Sequence, residues 1–148
     1  MADITFAQIE AALVTRIEAA LPYLAQCASY AGQIEDVNNG LPVEAPACFV
    51  SFDGFRADRE MSSRKSHVGI AEYSIIVVAD SYTGTTLNRT ADQGAYAIVH
   101  AVISAVDDNA LAVTGFQGVN FVDVTPLKVD KLRAMYRVRF DVLLEVTR

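Results

Sequence analysis

Apolar side chains recur every three or four positions in the N-terminal part of the chain, which is the spacing of one helix face. We therefore predict a helix over residues 3–31. Thr5 and Gln8 fit a capping box, in which a hydroxyl and an amide cap the helix start. Pro22 lacks a backbone N–H and should kink or split the helix, and Gly32 is suited to end it. The predicted buried stripe consists of Phe6, Ile9, Leu13, Ile17, Ala20 and Leu24.

Two stretches rich in β-branched and aromatic residues predict the first strands. Residues 32–46 are rich in Gly, Pro, Asn and Asp and predict a loop, after which residues 47–53 predict a strand. Residues 67–80 form the clearest β-branched run. Both faces of this run are apolar at residues 75–78, which indicates a central strand covered twice or a strand that meets a partner. The polar, heavily charged residues 54–66 between the strands predict a long hairpin tip or a mobile loop.

A second helix is predicted over residues 86–108. Its main apolar stripe is widened by Tyr96, Val99 and Ile103 to about half of the helix circumference, at roughly 100° per residue. A helix this apolar must be covered by more than one surface. The cover could be the sheet with the first helix, or the sheet with another subunit. The main stripe consists of Leu87, Ala91, Ala95, Ile98 and Val102.

Two further strands close the chain. Residues 119–124 predict one strand, which leads through Pro126 to a turn near Val129. Residues 132–147 then alternate between apolar and polar positions, the pattern of a strand with one buried face. Short links between these elements favour antiparallel pairing. The predicted fold is α+β: a two-layer domain with a mainly antiparallel sheet, both helices on one face, and a long charged β-hairpin.

Composition limits the function classes. The length suits a single domain over residues 1–148, and the apolar half of the sequence can form a sizeable core. A net charge of −6 disfavours general nucleic-acid binding. No apolar run is long enough for a membrane helix, and the start resembles no secretion signal, so we expect a cytoplasmic protein. Cys27 and Cys48 match no metal or redox spacing and are predicted to be reduced and buried.

Catalytic signatures are not found in the sequence, which predicts a protein that is not an enzyme, with no catalytic residues, cofactor site or metal site. It contains no phosphate-binding glycine loop, metalloprotease motif or nucleophile elbow. The two histidines, His67 and His100, lack partners at useful spacing. Asp123 and Asp141 are predicted to face outward on their strands, where they could pair with Arg137 or Arg139.

Two features point instead to contact with other protein subunits. The predicted hairpin concentrates four of the twelve basic residues within ten positions of an acidic chain. It is either a solvated tip or a surface that docks onto acidic groups. The second feature is a surplus of apolar surface, which monomers seldom leave bare. The residues predicted to contact partners are Arg56, Arg59, Arg64, Lys65, Tyr96, Val99, Ile103, Met135 and Leu143.

The order of these patterns resembles the tail-terminator proteins of Mu-like phages and prophages. The resemblance covers nearly the whole chain and lies in its hydrophobic patterns. The N-terminal helix IEAALVTRIEAAL leads to the strand PACFVSFDGF, a charged hairpin and the strand EYSIIVVADSY. The segments that follow are the helix GAYAIVHAVISAV and the final strand MYRVRFDVLLEV.

The resemblance implies a ring, usually hexameric, that caps the phage tail tube and joins it to the head connector. It implies assembly in the bacterial cytoplasm and a final place in the virion tail, with no catalytic residues to transfer. One alternative is a small cytoplasmic ligand-binding or enzyme domain on a similar scaffold, which a pocket of clustered polar groups would favour. Another is a different neck or tube component of the phage.

Overall fold

The computed structural model describes residues 5–30, 46–60, 62–80, 94–107, 118–129 and 133–147. Two helices and five strands lie within these ranges and confirm the α+β class. Their order is α1 (Phe6–Ala20), β1 (Gln26–Ser29), β2 (Ala47–Asp58), β3 (Ser66–Asp80), α2 (Ala95–Val106), β4 (Val119–Val129) and β5 (Arg133–Thr147).

The described strands form one sheet in the order β1-β2-β3-β5-β4. Only β1 and β2 pair in parallel, and the other neighbours are antiparallel. The longest pairing joins β3 and β5, from Ser66 opposite Thr147 to Asp80 opposite Arg133. The prediction that β3 is central and covered on both faces is confirmed, because Ile75 and Val77 are buried on one face and Ile76 and Val78 on the other.

Helix α1 has the predicted N-terminal cap but ends earlier than predicted, and the predicted helical residues 3 and 4 lie outside the described residues. The Thr5 hydroxyl accepts the Gln8 backbone N–H, and the Gln8 amide oxygen accepts the Thr5 backbone N–H, so the capping box is confirmed. The helix ends at Ala20, so its predicted continuation is wrong for residues 21–30, and residue 31 lies outside the described residues. Pro22 offers no N–H to the helix, and residues 26–29 instead form β1, whose hydrogen bonds to β2 replace those of a helix.

Both helices pack on the same face of the sheet. From α1, Ile9, Leu13 and Ile17 are completely buried in this main core. The Tyr73 hydroxyl of β3 donates to the Phe6 carbonyl at 2.9 Å and so fixes the start of α1. The Arg16 Nε of α1 donates to the Ala105 carbonyl at 2.8 Å, near the end of α2 where helix carbonyls lack intrahelical partners.

Helix α2 carries the wide apolar surface expected from the sequence. Six of its residues are buried, and they pack in one core with α1 and the sheet. This agrees with the first of the two predicted arrangements, in which the sheet and the first helix together cover the apolar surface of α2. The predicted helical residues 86–93 lie outside the described residues. The six buried residues are Ala95, Ile98, Val99, Val102, Ala105 and Val106.

The charged hairpin is more regular than predicted. Strand β2 continues to Asp58 and β3 begins at Ser66, so the predicted long hairpin is confirmed, with strands that extend further into residues 54–66 than expected. A register shift between Phe52 and Gly54 interrupts the alternation of sides, so that Phe52 and Phe55 both pack towards α1. Gly54 takes a φ of 142° there, a conformation that other residues rarely adopt.

Strand β4 is also longer than predicted and runs through Pro126 to Val129. Proline cannot donate to a strand ladder, so it is tolerated mainly on edge strands, and β4 is at the edge of the described sheet. Register shifts at Phe121/Asp123 and Pro126/Lys128 further interrupt this edge. The turn predicted at Val129 to Lys131 lies partly outside the described residues.

Candidate subunit-contact surfaces

The described part of the β2–β3 turn, residues 59–60 and 62–65, is held by hydrogen bonds of its serines. The Ser62 hydroxyl donates to the Asp58 carbonyl at 2.6 Å and accepts the Val68 backbone N–H at 3.2 Å. The Ser63 hydroxyl accepts the backbone N–H groups of Lys65 and Ser66, each at 3.3 Å. These bonds hold the turn in a defined shape and present its basic side chains at one end of the sheet.

The four basic residues predicted to contact partners all lie on this hairpin and are exposed. Arg59, Arg64 and Lys65 lie in the turn, and Arg56 lies on β2 opposite Ile70. Among the residues that the structure describes, none of these four side chains forms an ion pair. No ion pair with a described residue therefore holds these four basic side chains in place.

The second surface is the flank of α2 beside β4, which we call the α2–β4 flank. Tyr96 is 41% exposed, with its ring edge-on to Tyr136 at a centroid distance of 5.9 Å. Ile103 is half-buried, and Val99 is only 7% exposed. The structure thus places Tyr96 and Ile103 at a surface. It corrects the premise that Val99 is bare, because Val99 packs into the main core.

Strand β4 carries further exposed apolar residues that the sequence did not single out. Phe121, which extends this flank, is 38% exposed. Val122 and Leu127 are each 42% exposed, and Val122 lines a cavity with Asp53, Glu72 and Asp141 instead. The Asp107 carboxylate at the end of α2 accepts the Phe121 backbone N–H at 2.9 Å and ties the helix to β4. Val122 and Leu127 lie at the two register shifts, where the alternation of sides is interrupted. The sequence pattern therefore does not predict on which side of the strand these side chains lie.

The third surface is the sheet face opposite the helices, the open face. Leu143 is half-buried there, and Ile70 lies opposite both Leu143 and Arg56, so the three residues share a row. Met135 is on the same face but only 3% exposed, in a small second core with Phe49 and other residues. The expectation that Met135 is bare surface is therefore wrong.

Acidic side chains cluster beside the Leu143 row. Glu72 and Asp141 are direct cross-strand neighbours, and together with Asp53 they line a cavity of about 120 Å³. Arg139 also lines it, but the Asp123 carboxylate holds Arg139 through two hydrogen bonds, one of 2.7 Å. The predicted pairing of Asp123 across the sheet is thus confirmed. Burial, and then the charge of Glu72, raise the pKa of Asp141 above its usual range, whereas the hydrogen bond from Arg139 lowers the pKa of Asp123.

We expect Asp141→Asn to stabilise the fold near neutral pH. A raised folded-state pKa means that the ionised carboxylate is disfavoured in the fold, and this penalty disappears as the pH falls through that pKa. Removing a like-charge cross-strand pair should contribute about 0.2–1 kcal/mol. Urea unfolding near neutral pH and again in acid measures it, and the gain should vanish in acid. In the dissociated chain, a loss of stability at neutral pH would show that Asp141 makes a favourable contact within its own subunit instead.

The described residues show little that points to catalysis. None of their His, Cys, Asp and Glu side chains form a group of three or more able to hold a metal ion. Cys27 and Cys48 are free thiols that face each other across β1 and β2. Burial raises the pKa of Cys27 to about 11 and raises that of Cys48 as well, which disfavours the nucleophilic thiolate.

The fold and its surfaces define an α+β protein with a charged hairpin at one end of the sheet and an aromatic flank along one edge. The family model described as Bacteriophage Mu, Gp37 matches residues 5–143. The chain belongs to this family of phage proteins. No curated protein matches the chain.

Membership in this family confirms the predicted class of protein: the chain is a phage structural protein and a component of the virion. Among the described residues, no helix is both long enough and apolar enough to cross a membrane.

Proposed function

We propose that the chain is a tail-terminator subunit, which forms a ring that caps the phage tail tube and joins it to the head connector. The proposal rests first on membership in the Mu Gp37 family over nearly the whole chain. It further holds that the protein acts by binding and not by catalysis. Its partners would be further copies of itself, the tail tube and the connector, with assembly in the host cytoplasm.

The structural observation that best supports a ring is that the candidate contact surfaces lie at different places on the subunit. The α2–β4 flank lies along one edge of the sheet, whereas the charged hairpin projects from one end of β2 and β3. Two different patches on one subunit favour head-to-tail contacts, which close into a ring when the rotation between copies fits. The number six comes from the family resemblance alone.

The exposed aromatic residues of the flank supply the apolar part of the contact. Tyr96 and Phe121 are each more than a third exposed. Burying such side chains between copies contributes roughly 25 cal/mol per Å². Aromatic residues are also enriched at the centres of protein interfaces, where few side chains provide most of the affinity.

We expect Tyr96→Asp to leave a folded but dissociated subunit, because a buried contact cannot take an unpaired carboxylate without a large cost. Ser104→Asp is the matched control, since Ser104 is exposed on the same helix and turned about 80° from Tyr96 at 100° per residue. Light scattering gives the mass of each assembly, and circular dichroism checks the fold. Equal masses for Tyr96→Asp and the unmodified oligomer would remove the flank from the interface.

A further inference from the structure

The hairpin turn forms an open cleft with a strongly basic lining. The cleft has a volume of about 640 Å³, and Arg59 and Arg64 line it together with His67 and two serines. The serine hydroxyls already bond to the backbone of the turn, and neither guanidinium group forms an ion pair with another described residue. Guanidinium groups bind carboxylates with two parallel hydrogen bonds, so an acidic partner fits this cleft.

The open face of the same chain supplies a complementary surface. Asp53, Glu72 and Asp141 line the small cavity there, and its lining cation, Arg139, is already held by Asp123. Asp53 accepts hydrogen bonds from Ser51 and Ser74, which orient its carboxylate. Glu72 and Asp141 lie directly opposite each other, an unfavourable arrangement that a cation placed between them would relieve.

The two surfaces are too far apart to pair within one chain. Arg59 follows Asp58, which lies opposite Val68, and Glu72 is four residues further along β3. At about 3.3 Å per residue this is a separation of roughly 13 Å along the strand, beyond the reach of an arginine in the turn. Arg56, which is nearer, does act on its own chain: burial and Glu72 raise the pKa of Asp141, and the charges of Arg139 and Arg56 partly oppose that rise.

We propose that the hairpin of one copy docks onto the open face of the next, with Arg59 and Arg64 bound to Glu72 and Asp141. This rests on the proposed ring and names one of its contacts. The partner is a second copy because the basic surface and the acidic surface that fits it are both on this chain. The net charge of −6 disfavours nucleic acid as an alternative partner. The contact joins different surfaces and is therefore head-to-tail.

A charge-swap experiment tests this docking. The hairpin variant carries Arg59→Glu and Arg64→Glu, the open-face variant carries Glu72→Lys and Asp141→Lys, and a third chain carries all four changes. Sedimentation should show that each two-residue variant associates about tenfold more weakly or worse than the unmodified chain, with the loss shrinking as salt is added. Mixing the two variants, or combining the four changes, should restore association, because opposite charges then meet again.

The controls separate this docking from the proposed ring. Glu18→Lys reverses an exposed charge on α1 and should leave association unchanged. Circular dichroism checks the fold of each variant. If the lysines unfold the open-face variant, a chain with Glu72→Gln and Asp141→Asn replaces it, and a smaller loss of association is expected. If the unmodified chain associates but the two-residue variants match it, or if no swap restores what they lose, the docking is wrong and the ring stands. A monomeric unmodified chain would overturn both.

Discussion

Replacing Phe140 by Ala is expected to destabilise the fold by about 3–5 kcal/mol, a large part of the stability of a small domain. Phe140 is completely buried on β5, between Tyr73 of β3 and Phe121 of β4 in one row across the sheet. Its removal leaves a cavity beneath the helices that the paired strands cannot close. Urea or thermal unfolding gives the free-energy change directly.

Phe121→Ala is the matched control for this prediction. Phe121 is in the same row and touches the Phe140 ring edge-on at a centroid distance of 5.9 Å, but it is 38% exposed. Its loss should therefore cost clearly less stability than the loss of Phe140. Equal costs for the two variants would mean that the core is not centred on this row.

Gly69→Ala is expected to destabilise the hairpin by about 1–3 kcal/mol or more, although only one methyl group is added. A Cβ at Gly69 would overlap the Arg56 carbonyl oxygen and lie 2.6 Å from the Ala57 Cα, so the backbones of β2 and β3 would have to separate. Hydrogen exchange should show the loss first in the paired ends of these strands, Asp58 opposite Val68.

A second variant shows whether this clash is with backbone or with side chain. The neighbouring atoms at Gly69 belong to the backbone of Arg56 and Ala57, so adding Ala57→Gly should not rescue Gly69→Ala. Full rescue, or a Gly69→Ala chain as stable as the unmodified one, would show that β2 and β3 are not this close.

The sequence predicts the elements whose side-chain period is uninterrupted. The stripe of Ile9, Leu13 and Ile17 and the alternation along β5 each repeat often enough to define a buried face. Prediction from the sequence fails where hydrogen bonding to a distant segment decides whether a helix or a strand forms. Strand β1 has only four residues, too few to show a period, and it exists because Gln26–Ser29 pairs with β2 in parallel.

Register shifts explain most of the remaining errors. The shift between Phe52 and Gly54 places two aromatic residues three positions apart on one side, so the pattern of β2 looks like the start of a loop. In β4, Pro126 suggests the end of a strand. An edge strand tolerates proline, however, because one of its sides has no partner strand in the described sheet that would need the missing N–H.

The positions of the candidate contact residues in the fold could be predicted only in part. Charge density alone marked Arg59 and Arg64, because a cluster of cations in an acidic chain is visible without a structure. Burial could not be predicted so well. Met135 looks outward by alternation, yet the open face carries a second small core that buries it with Phe49 and Val78. The acidic complement, Glu72 with Asp141, depends on the register of β3 and β5, which the sequence does not specify.

Electron microscopy of isolated phage tail tubes mixed with the purified chain is the most direct test of the proposed function. We expect a closed ring of subunits bound at one end of each tube, and the same ring in the chain alone at high concentration. Tyr96→Asp should leave the tube ends bare. A chain that stays monomeric at high concentration and binds no tube end would contradict the tail-terminator proposal.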